Sequence, residues 1–511
     1  MSRVGLPPQS LKMAAGMATS QVAVSRFFQF AVLIFVLATG AMPTILQGIV
    51  NGFTGAPGAY AAAIASSLAF DLLRVAPLIV LSRHPLGILH PIVLAIVLWP
   101  ILTVLPQTID QLGGYAGLLS GDQLRPPVFR ALAWRGETQA WFDVARYNVF
   151  QIFALLATFA GYALSTAHSG KPIKFLSDVD TRRMRSVLIG IVLMNFFAVA
   201  IFIQFRGGLA QHITELAFGR FRALEGLGPF IALFDLGYIA LLIWVCVRPQ
   251  DARQPVFLSL LVLVAAQQFL TAGSRSAAIT VIVITGLGWA LAQRRIPWRI
   301  ALLALPAILL SFGVLNVIRA SGLSGNGAVS AVQDRTVSDV IAVARDEFEI
   351  RQAVAGSIPV TADAMATTGM MLGRTYQGAI FALVPRALWP DKPRGPGSMY
   401  AQIFLGESRE GTAVPISPVA EAYWNFHIPG IIVLFALYGL LLRRAQEFYL
   451  ANLHNGFAIA VFALFVTQFG MATDMLVAFQ QTLIALAIIW VMLMVFGPRA
   501  RRIGRAPALQ A

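Results

Sequence analysis

The sequence predicts an all-α polytopic membrane protein of about 12 transmembrane helices with one long loop. The chain is 58% apolar and only 12% charged, about half the charged fraction of an average soluble protein. Apolar runs of about 17–25 residues, the length that crosses a bilayer core, recur along most of the chain. One polar segment, 319–428, interrupts these runs and carries nine basic residues. These observations set the fold class.

Twelve apolar runs approach or reach spanning length: 27–50, 58–82, 86–106, 147–168, 186–206, 229–247, 255–271, 277–293, 300–318, 429–442, 456–473 and 479–497. The tenth is short, and its start could lie back near Ala420. The first lacks the cleavage site of a signal peptide and is expected to be an uncleaved anchor. The chain thus divides into spans one to nine in 1–318, a long loop or lid in 319–428, and three spans with a basic tail in 429–511.

Lysine and arginine residues assign the two sides of the membrane. If the N-terminus lies inside, the inner segments hold 20 of the 38 basic residues, and the acidic residues among them are Asp178, Asp180, Asp251 and Glu447. Basic residues in short loops face the cytoplasm. We therefore expect both termini to be cytoplasmic and the long loop to lie on the outer side.

Several classes of site are excluded by the sequence. The single Cys246 lies in an apolar run, so neither an intrachain disulfide nor a cysteine metal site is expected. No phosphate-binding loop, His-Glu-x-x-His motif or paired-aspartate pattern is present, so we predict no metal, no cofactor and no ATP hydrolysis. The net charge of +15 lies mostly in short loops, which indicates membrane topology rather than nucleic-acid binding. His90 and His168 lie near span ends and are expected to be structural.

Apart from Arg206 at the end of the run 186–206, three charged residues fall inside predicted spans, where charges are costly and often functional. Asp71 and Arg74 share one helical face at spacing i, i+3 and could pair. Such a pair could lock two helices together or mark a proton or substrate path. Asp235 has no local partner, so it needs an arginine or a hydroxyl from another span, and its role stays open between packing and function.

Ten arginines are predicted at or above the outer interface: Arg206, Arg220, Arg222, Arg275, Arg319, Arg345, Arg351, Arg374, Arg386 and Arg394. A guanidinium binds phosphate oxygens through two parallel hydrogen bonds, so several converging arginines would bind a pyrophosphate. Alternatively, each pairs with a nearby acid or a lipid head group. Arg275 differs, because Gly273 and Ser274 in its short turn offer backbone N–H groups to an anion.

The run DEFEIR, 346–351, concentrates carboxylates within the long loop. At helical spacing Glu347 and Arg351 share a face, as do Asp346 and Glu349. This pattern fits a solvated helix face, or a general base held near an activated sugar. The following stretch, 373–393, resembles an amphipathic helix broken by Pro385. Its aromatic residues could pack on pyranose rings or form a core: Tyr376, Phe381 and Trp389.

The segments GRTY…LVPRALWPDKP (373–393) and EAYWNFHIPGIIV (421–433) resemble the bacterial oligosaccharide repeat-unit polymerases, the O-antigen polymerases of the Wzy type. The GSR turn at 273–275 also recurs in that family. The resemblance covers roughly 200–434 by motif and the whole chain by topology. His427 departs from it, because glycine is expected there, in an NFG-like segment.

The resemblance implies a membrane-embedded, C-type glycosyltransferase in the bacterial inner membrane, with the long loop periplasmic. It would join polyprenyl-diphosphate-linked oligosaccharides (undecaprenyl-diphosphate in bacteria) without a nucleotide sugar. A flippase and a chain-length regulator are implied as partners, besides membrane lipids. Because the diphosphate is a good leaving group, the protein must mainly stabilise charge and position the acceptor hydroxyl.

The candidate residues divide by role. Candidates for contact with the diphosphate are Arg275, Arg386 and Lys392, followed by Arg319, Arg345 and Arg374. Candidates for the general base are Glu347 and Glu349, followed by Glu421. Candidate sugar platforms are Trp389 and Tyr423.

Two other functions compete with the polymerase. An O-antigen ligase has a similar topology and donor, but transfers the glycan to a lipid-A core or a protein. A 12-span secondary transporter of the major-facilitator type has its longest connection mid-chain and inside, whereas here the corresponding connection is only 248–254 and the longest loop is late and outside. The features that favour a transporter are the charged residues inside the predicted spans: Asp71, Arg74 and Asp235.

Overall fold

A computed structural model describes residues 24–50, 56–98, 136–165, 181–209, 234–272, 275–296, 357–381, 395–405 and 416–468, and the positions 100, 211, 212, 215, 388, 389, 482, 486 and 490. All regular elements among these residues are helical. The α-helices are α1 (Arg26–Thr39), α2 (Ala41–Val50), α3 (Pro57–Val80), α4 (Glu137–Leu164), α5 (Thr181–Phe205), α6 (Leu236–Val247), α7 (Pro255–Ala272), α8 (Arg275–Gln293), α9 (Ser357–Thr367), α10 (Arg374–Ile380), α11 (Pro396–Leu405), α12 (Pro418–Ala451) and α13 (Gly456–Gln468). Short 3-10 segments cover Gly87–Leu89 and Pro249–Arg253, and a π-helix covers Val93–Leu98.

Four of the described helices are long and apolar enough to cross a membrane. They are α3, the Thr138–Leu164 part of α4, the Met184–Phe205 part of α5, and α12. Shorter apolar helices include α1, α6, α8 and α13. The described part of the chain is therefore that of an all-α membrane protein, as the hydropathy of the sequence predicts.

Two helices extend further than the apolar runs indicate at their N-terminal ends, which the predicted topology places outside and which are therefore called their outer ends. α4 begins at Glu137 rather than at residue 147, and α12 begins at Pro418 rather than at residue 429. The extra turns are polar in sequence but buried by protein: Trp141 packs on Tyr60 with ring centroids 4.8 Å apart. A hydropathy window detects lipid-facing turns, and misses turns that are covered by another part of the same chain. The predicted boundary at residue 428 lies next to Phe426 and His427, where non-helical backbone divides α12 into two helical stretches.

The first predicted span is broken in its middle, and Asp71 lies at the break. The Asp71 carboxylate accepts a hydrogen bond from the Ala41 N–H at 2.9 Å, so it caps the second half of the span. A side chain at Gly40 would occupy the position of this carboxylate. The Arg74 guanidinium interacts electrostatically with Asp71, but donates its Nε hydrogen bond to the Ile96 carbonyl, in the π-helix, at 3.3 Å. The two side chains thus attract each other electrostatically, as their spacing predicts, and each also forms a hydrogen bond with the backbone of another element.

Asp235 precedes α6, the most buried helix of the main core, in which every residue from Tyr238 to Cys246 is buried. The carboxylate accepts a hydrogen bond from Gln268 Nε2, on α7, at 3.0 Å. The expected partner from another span is present, but it is an amide instead of an arginine or a hydroxyl. An amide can supply the hydrogen bond without bringing a second charge into the apolar core.

α4 and α12 run parallel and form the most extensive helix pair among the described residues. Their backbones approach closely where small residues face each other. A Cβ atom at Gly161 would overlap the Ala436 carbonyl, and one at Gly439 would overlap the Thr158 carbonyl. Small residues at such crossings let membrane helices pack through their backbones. This crossing fixes the direction of α12 and thereby the position of its outer end.

A hydrogen-bonded cluster joins the segment after α3 to α4 and α12 at their opposite end, which the predicted topology places inside. The Tyr162 hydroxyl lies 3.1 Å from His90 Nε2 and accepts from Arg443 Nη1 at 3.3 Å. It donates in turn to the amide oxygen of Gln446. His84 packs edge-on against His90. The structural role predicted for His90 agrees with these contacts, whereas His168 lies outside the described residues.

The described parts of the long loop pack as a second hydrophobic core on the outer ends of α4 and α12. Its members come from α4, α9, α11 and α12 and the connecting segments, and include Tyr147, Val360, Met371, Tyr400 and Trp424. The Ser417 N–H donates to Ser357 Oγ at 2.8 Å, and Tyr147 donates to Ser417 Oγ at 2.7 Å. These parts of the loop are fixed to the helices beneath them.

Candidate functional site at the outer end of α12

The outer end of α12 is a capped helix that is interrupted after two turns. Ser417 accepts a hydrogen bond from the Ala420 N–H at 3.2 Å, and Pro418 occupies the first helical position, where proline is well tolerated. The interruption falls at Phe426 and His427, before Pro429. His427 has φ 59° and ψ −153°, a region that only glycine adopts readily. The glycine expected at this position from the family pattern is the residue that this backbone favours.

A buried cluster of three polar side chains lies just above this interruption. The Thr375 hydroxyl donates to Glu421 Oε1 at 2.7 Å, and Asn425 Nδ2 donates to Thr375 Oγ1 at 2.6 Å. Asn425 Nδ2 also donates to the Glu421 carbonyl at 2.8 Å. All three residues are fully buried.

A turn from Gly369 to Gly373 brings Thr375 to this place. The Met371 N–H donates to the Trp424 carbonyl at 3.0 Å, and the Leu372 N–H donates to the Asn425 carbonyl at 3.1 Å. The Gly373 N–H donates to Asn425 Oδ1 at 2.9 Å. The turn is therefore bound to α12 by three consecutive backbone donors, and α10 begins directly after it.

The cluster lies near the level at which α12 would leave the hydrocarbon of a bilayer. Arg443 and Arg444 mark the polar inner end of this helix, and both bind Glu447. A hydrocarbon core of about 30 Å corresponds to roughly 20 helical residues at about 1.5 Å each. Counting back from Arg443 reaches Tyr423. By this count Glu421 and Asn425 both lie within a few residues of the hydrocarbon boundary.

Two arginines accompany the cluster among the described residues. Arg374, a predicted diphosphate ligand, is exposed at the first position of α10, next to Thr375. Arg146 lies 3.9 Å from the buried Asp143 on α4 and interacts electrostatically with Tyr423. Its side chain is 43% exposed, so it can reach a ligand as well as Asp143.

Both aromatic candidates for sugar stacking contact other aromatic rings. Tyr423 is only 7% exposed and packs on Phe150 and His427, with both centroid distances at 4.7 Å. In this conformation Tyr423 is a packing residue and offers no ring face to a sugar. Trp389 is half-buried and contacts Phe381 edge-on at 5.1 Å, which leaves its role open.

Most of the other predicted site residues fall outside the part of the chain that the structure describes. Six of them lie outside the described residues: Glu347, Glu349, Arg319, Arg345, Arg386 and Lys392. Arg275 begins α8, and only its backbone is described. The convergence of these residues on one diphosphate therefore stays a prediction.

A second polar group lies beyond the outer ends of α5 and α7, close in sequence to Arg275. Arg206 binds Glu215, and its guanidinium, with the Gln211 amide, holds the pKa of Glu215 below its usual value. His212 Nε2 donates to the Leu270 carbonyl at 2.8 Å, and burial lowers the pKa of His212. Arg206 thus pairs with an acid, one of the two alternatives for the outer arginines.

Three residues of the cluster and its surroundings are missing from the sequence prediction: Thr375, Asn425 and Arg146. The first two lie inside the motifs that carry the family resemblance, GRTY and YWNFH, and this is the signal that could have found them. Arg146 precedes the apolar run 147–168 by one residue, whereas α4 begins at Glu137 and includes it. Among the described residues no group of three potential metal-ligating side chains is close enough to hold an ion.

Comparison with known proteins adds no relative: no family model, no curated protein and no solved structure matches the chain.

Proposed function

We propose that this protein is a polysaccharide repeat-unit polymerase of the bacterial inner membrane. It would join polyprenyl-diphosphate-linked oligosaccharides on the periplasmic side, with about 12 spans, both termini in the cytoplasm, and 319–428 as a periplasmic loop. The support comes from the motif resemblance, the all-α membrane fold, and one feature of the site. That feature is the buried Glu421–Thr375–Asn425 cluster at the level of the bilayer interface, beneath the long loop.

The position of the cluster suits a lipid-linked substrate. A polyprenyl diphosphate holds its reacting sugar just outside the hydrocarbon, and Glu421 lies about half a helical turn beyond the calculated boundary at Tyr423. A carboxylate is needed there, because the acceptor hydroxyl has to lose a proton during glycosyl transfer. Glu421 is the one proposed base whose surroundings are described.

The proposed reaction is a displacement at the anomeric carbon of the growing glycan. The acceptor hydroxyl oxygen of the incoming repeat unit forms a bond to this carbon, while the bond from carbon to diphosphate oxygen breaks. The hydroxyl proton passes to the Glu421 carboxylate, and the bonding electron pair leaves with the polyprenyl diphosphate. Thr375 and Asn425 position the carboxylate, since both act through the hydrogen bond to Oε1.

Arginines would stabilise the charge that develops on the departing diphosphate. Arg374 and Arg146 are the two described near the cluster. The sequence adds Arg275, Arg386 and Lys392, then Arg319 and Arg345. This charge pattern explains how the reaction could proceed without a bound metal.

Glu421 has a competing role as a purely structural link between α10 and α12. Glu421→Gln separates the two roles, because the amide oxygen still accepts from Thr375 whereas the amide is not a base. The test is a gel of surface polysaccharide from cells that carry the variant in place of the native protein. We expect single repeat units in place of a ladder, with normal amounts of folded protein in the membrane. A full ladder from Glu421→Gln would assign Glu421 to structure.

A ligase would use the same donor, and the accumulated product distinguishes it. Loss of a ligase leaves long lipid-linked polymer, whereas loss of a polymerase leaves single repeat units. Transport has less support, because Asp71 and Asp235 have local partners in the Ala41 N–H and the Gln268 amide. These contacts account for both buried carboxylates as packing elements.

A further inference from the structure

The turn that carries the site displays apolar side chains outward. Met370 is 53% exposed and Leu372 is 70% exposed, while Met371 between them is buried in the second core. Leu372 also has φ 48°, between Gly369 at φ 66° and Gly373 at φ 88°. In water, an exposed leucine side chain and a left-handed leucine backbone are each unfavourable. The environment of Leu372 should therefore account for both features.

The depth of the turn in the membrane follows from its hydrogen bonds. Met371 and Leu372 bind the carbonyls of Trp424 and Asn425, so they lie at the same height as these residues of α12. The hydrocarbon boundary calculated from Arg443 falls at Tyr423, with about 1.5 Å per residue. The turn is therefore at the outer edge of the hydrocarbon.

An exposed apolar face on α12 continues directly to the turn. Val433, Leu437, Leu440 and Leu441 are between 37% and 56% exposed and follow the spacing i, i+4, i+7, i+8, which places them on one helical face. Phe426, at the interruption that precedes this helical stretch, is also exposed, at 36%. Gly373 lies within contact distance of the Phe426 ring. Leu372, its neighbour, thus lies at the outer end of this lipid-facing surface.

The backbone N–H groups of the turn are hydrogen-bonded within the protein, as an apolar environment requires. The N–H groups of Met371, Leu372 and Gly373 bind α12, and the Arg374 N–H binds the Met371 carbonyl at 3.0 Å. Unpaired backbone groups are costly in lipid, whereas paired ones are tolerated at the interface. A solvated surface turn has no need for four consecutive paired donors.

We propose that the turn 369–373 enters the outer leaflet, with the Met370 and Leu372 side chains in contact with the acyl chains of bulk lipid. The turn anchors Thr375 and Arg374 at the membrane surface, where a lipid-linked substrate presents its phosphates. This inference depends on the membrane fold and on the turn, and it holds whether or not the protein is a polymerase.

The native cysteine content makes a direct test possible. Cys246 is buried and is the single cysteine of the chain, so a thiol-reactive fluorophore reports an introduced cysteine after subtraction of the parent protein. The reporters are Met370→Cys and Leu372→Cys in the full-length protein in lipid nanodiscs. Gln377→Cys, one turn further on and exposed, is the matched polar control. Each is quenched either by a phosphatidylcholine with a nitroxide on its acyl chain or by aqueous iodide.

We expect the fluorophores at 370 and 372 to lose most of their emission to the lipid nitroxide and little to iodide, with the reverse at 377. Quenching of 370 and 372 by iodide, to the same extent as 377, would overturn the proposal. Met370 has an ordinary backbone conformation, so Met370→Cys keeps the test valid if Leu372→Cys does not fold.

Discussion

The backbone conformation of His427 predicts that glycine is more stabilising than alanine at this position, the reverse of the usual order in a helix. In an ordinary helix, alanine is more stabilising than glycine by about 1 kcal/mol. At φ 59° and ψ −153°, any side chain meets the backbone, and such strain costs about 1–3 kcal/mol. We therefore compare His427→Gly with His427→Ala. Both lose the imidazole contact with Tyr423, so this loss cancels and the difference isolates the backbone.

We expect His427→Gly to be more stable than His427→Ala by about 1–3 kcal/mol. Against the native protein, His427→Gly should range from neutral to about 2 kcal/mol more stable, because losing a ring pair costs about 0.5–1.5 kcal/mol. The assay is the apparent Tm of purified protein in detergent at one fixed scan rate, because unfolding of large membrane proteins is often irreversible. An apparent Tm for His427→Ala equal to or above that of His427→Gly would refute the left-handed backbone at this position.

Three further changes test other parts of the structure. Gly439→Ala should destabilise the protein at the α4–α12 crossing by about 1–3 kcal/mol. The control Gly190→Ala, with open space around its Cβ position, should be neutral or slightly stabilising. Equal apparent Tm values for both variants would contradict the close approach of the α4 and α12 backbones. Thr375→Val should cost about 1–3 kcal/mol because it removes the donor to a buried carboxylate, and Thr375→Ser should restore most of the loss in the same thermal assay. Burial, followed by the Arg443 charge, lowers the pKa of His84 below 6.5, so the stabilisation from the neutral imidazole is present above that pH and is lost as the pH falls. The apparent Tm of the native protein should therefore drop between about pH 7 and 5, and that of His84→Gln should drop less steeply. Parallel plots of apparent Tm against pH for the two proteins would exclude His84 as a cause.

The apolar pattern alone predicts the spans that face lipid. The runs 58–82 and 186–206 match α3 and the crossing part of α5 within a few residues. A bilayer demands apolar side chains over a fixed length, so the signal is local and strong. The sequence motifs also identify the segments that meet at the outer end of α12.

Features that depend on contacts between residues far apart in the sequence cannot be predicted from the apolar pattern. The break at Gly40 exists because Asp71 binds the Ala41 N–H, a contact across 30 residues. The pairing of Thr375 with Glu421 spans 46 residues and connects a loop to a helix. Neither follows from periodicity, since both require knowledge of which helices are neighbours. The expectation of glycine at His427, by contrast, came from a motif and agrees with the backbone.

Polymer formation by the purified protein tests the central claim most directly. The protein is reconstituted in liposomes with a polyprenyl-diphosphate-linked oligosaccharide and without nucleotide or divalent metal. We predict a ladder of lipid-linked polymers from the native protein and only single repeat units from Glu421→Gln. Unchanged single repeat units with the native protein, or a strict need for a divalent ion, would contradict a polymerase that acts through Glu421 and arginines.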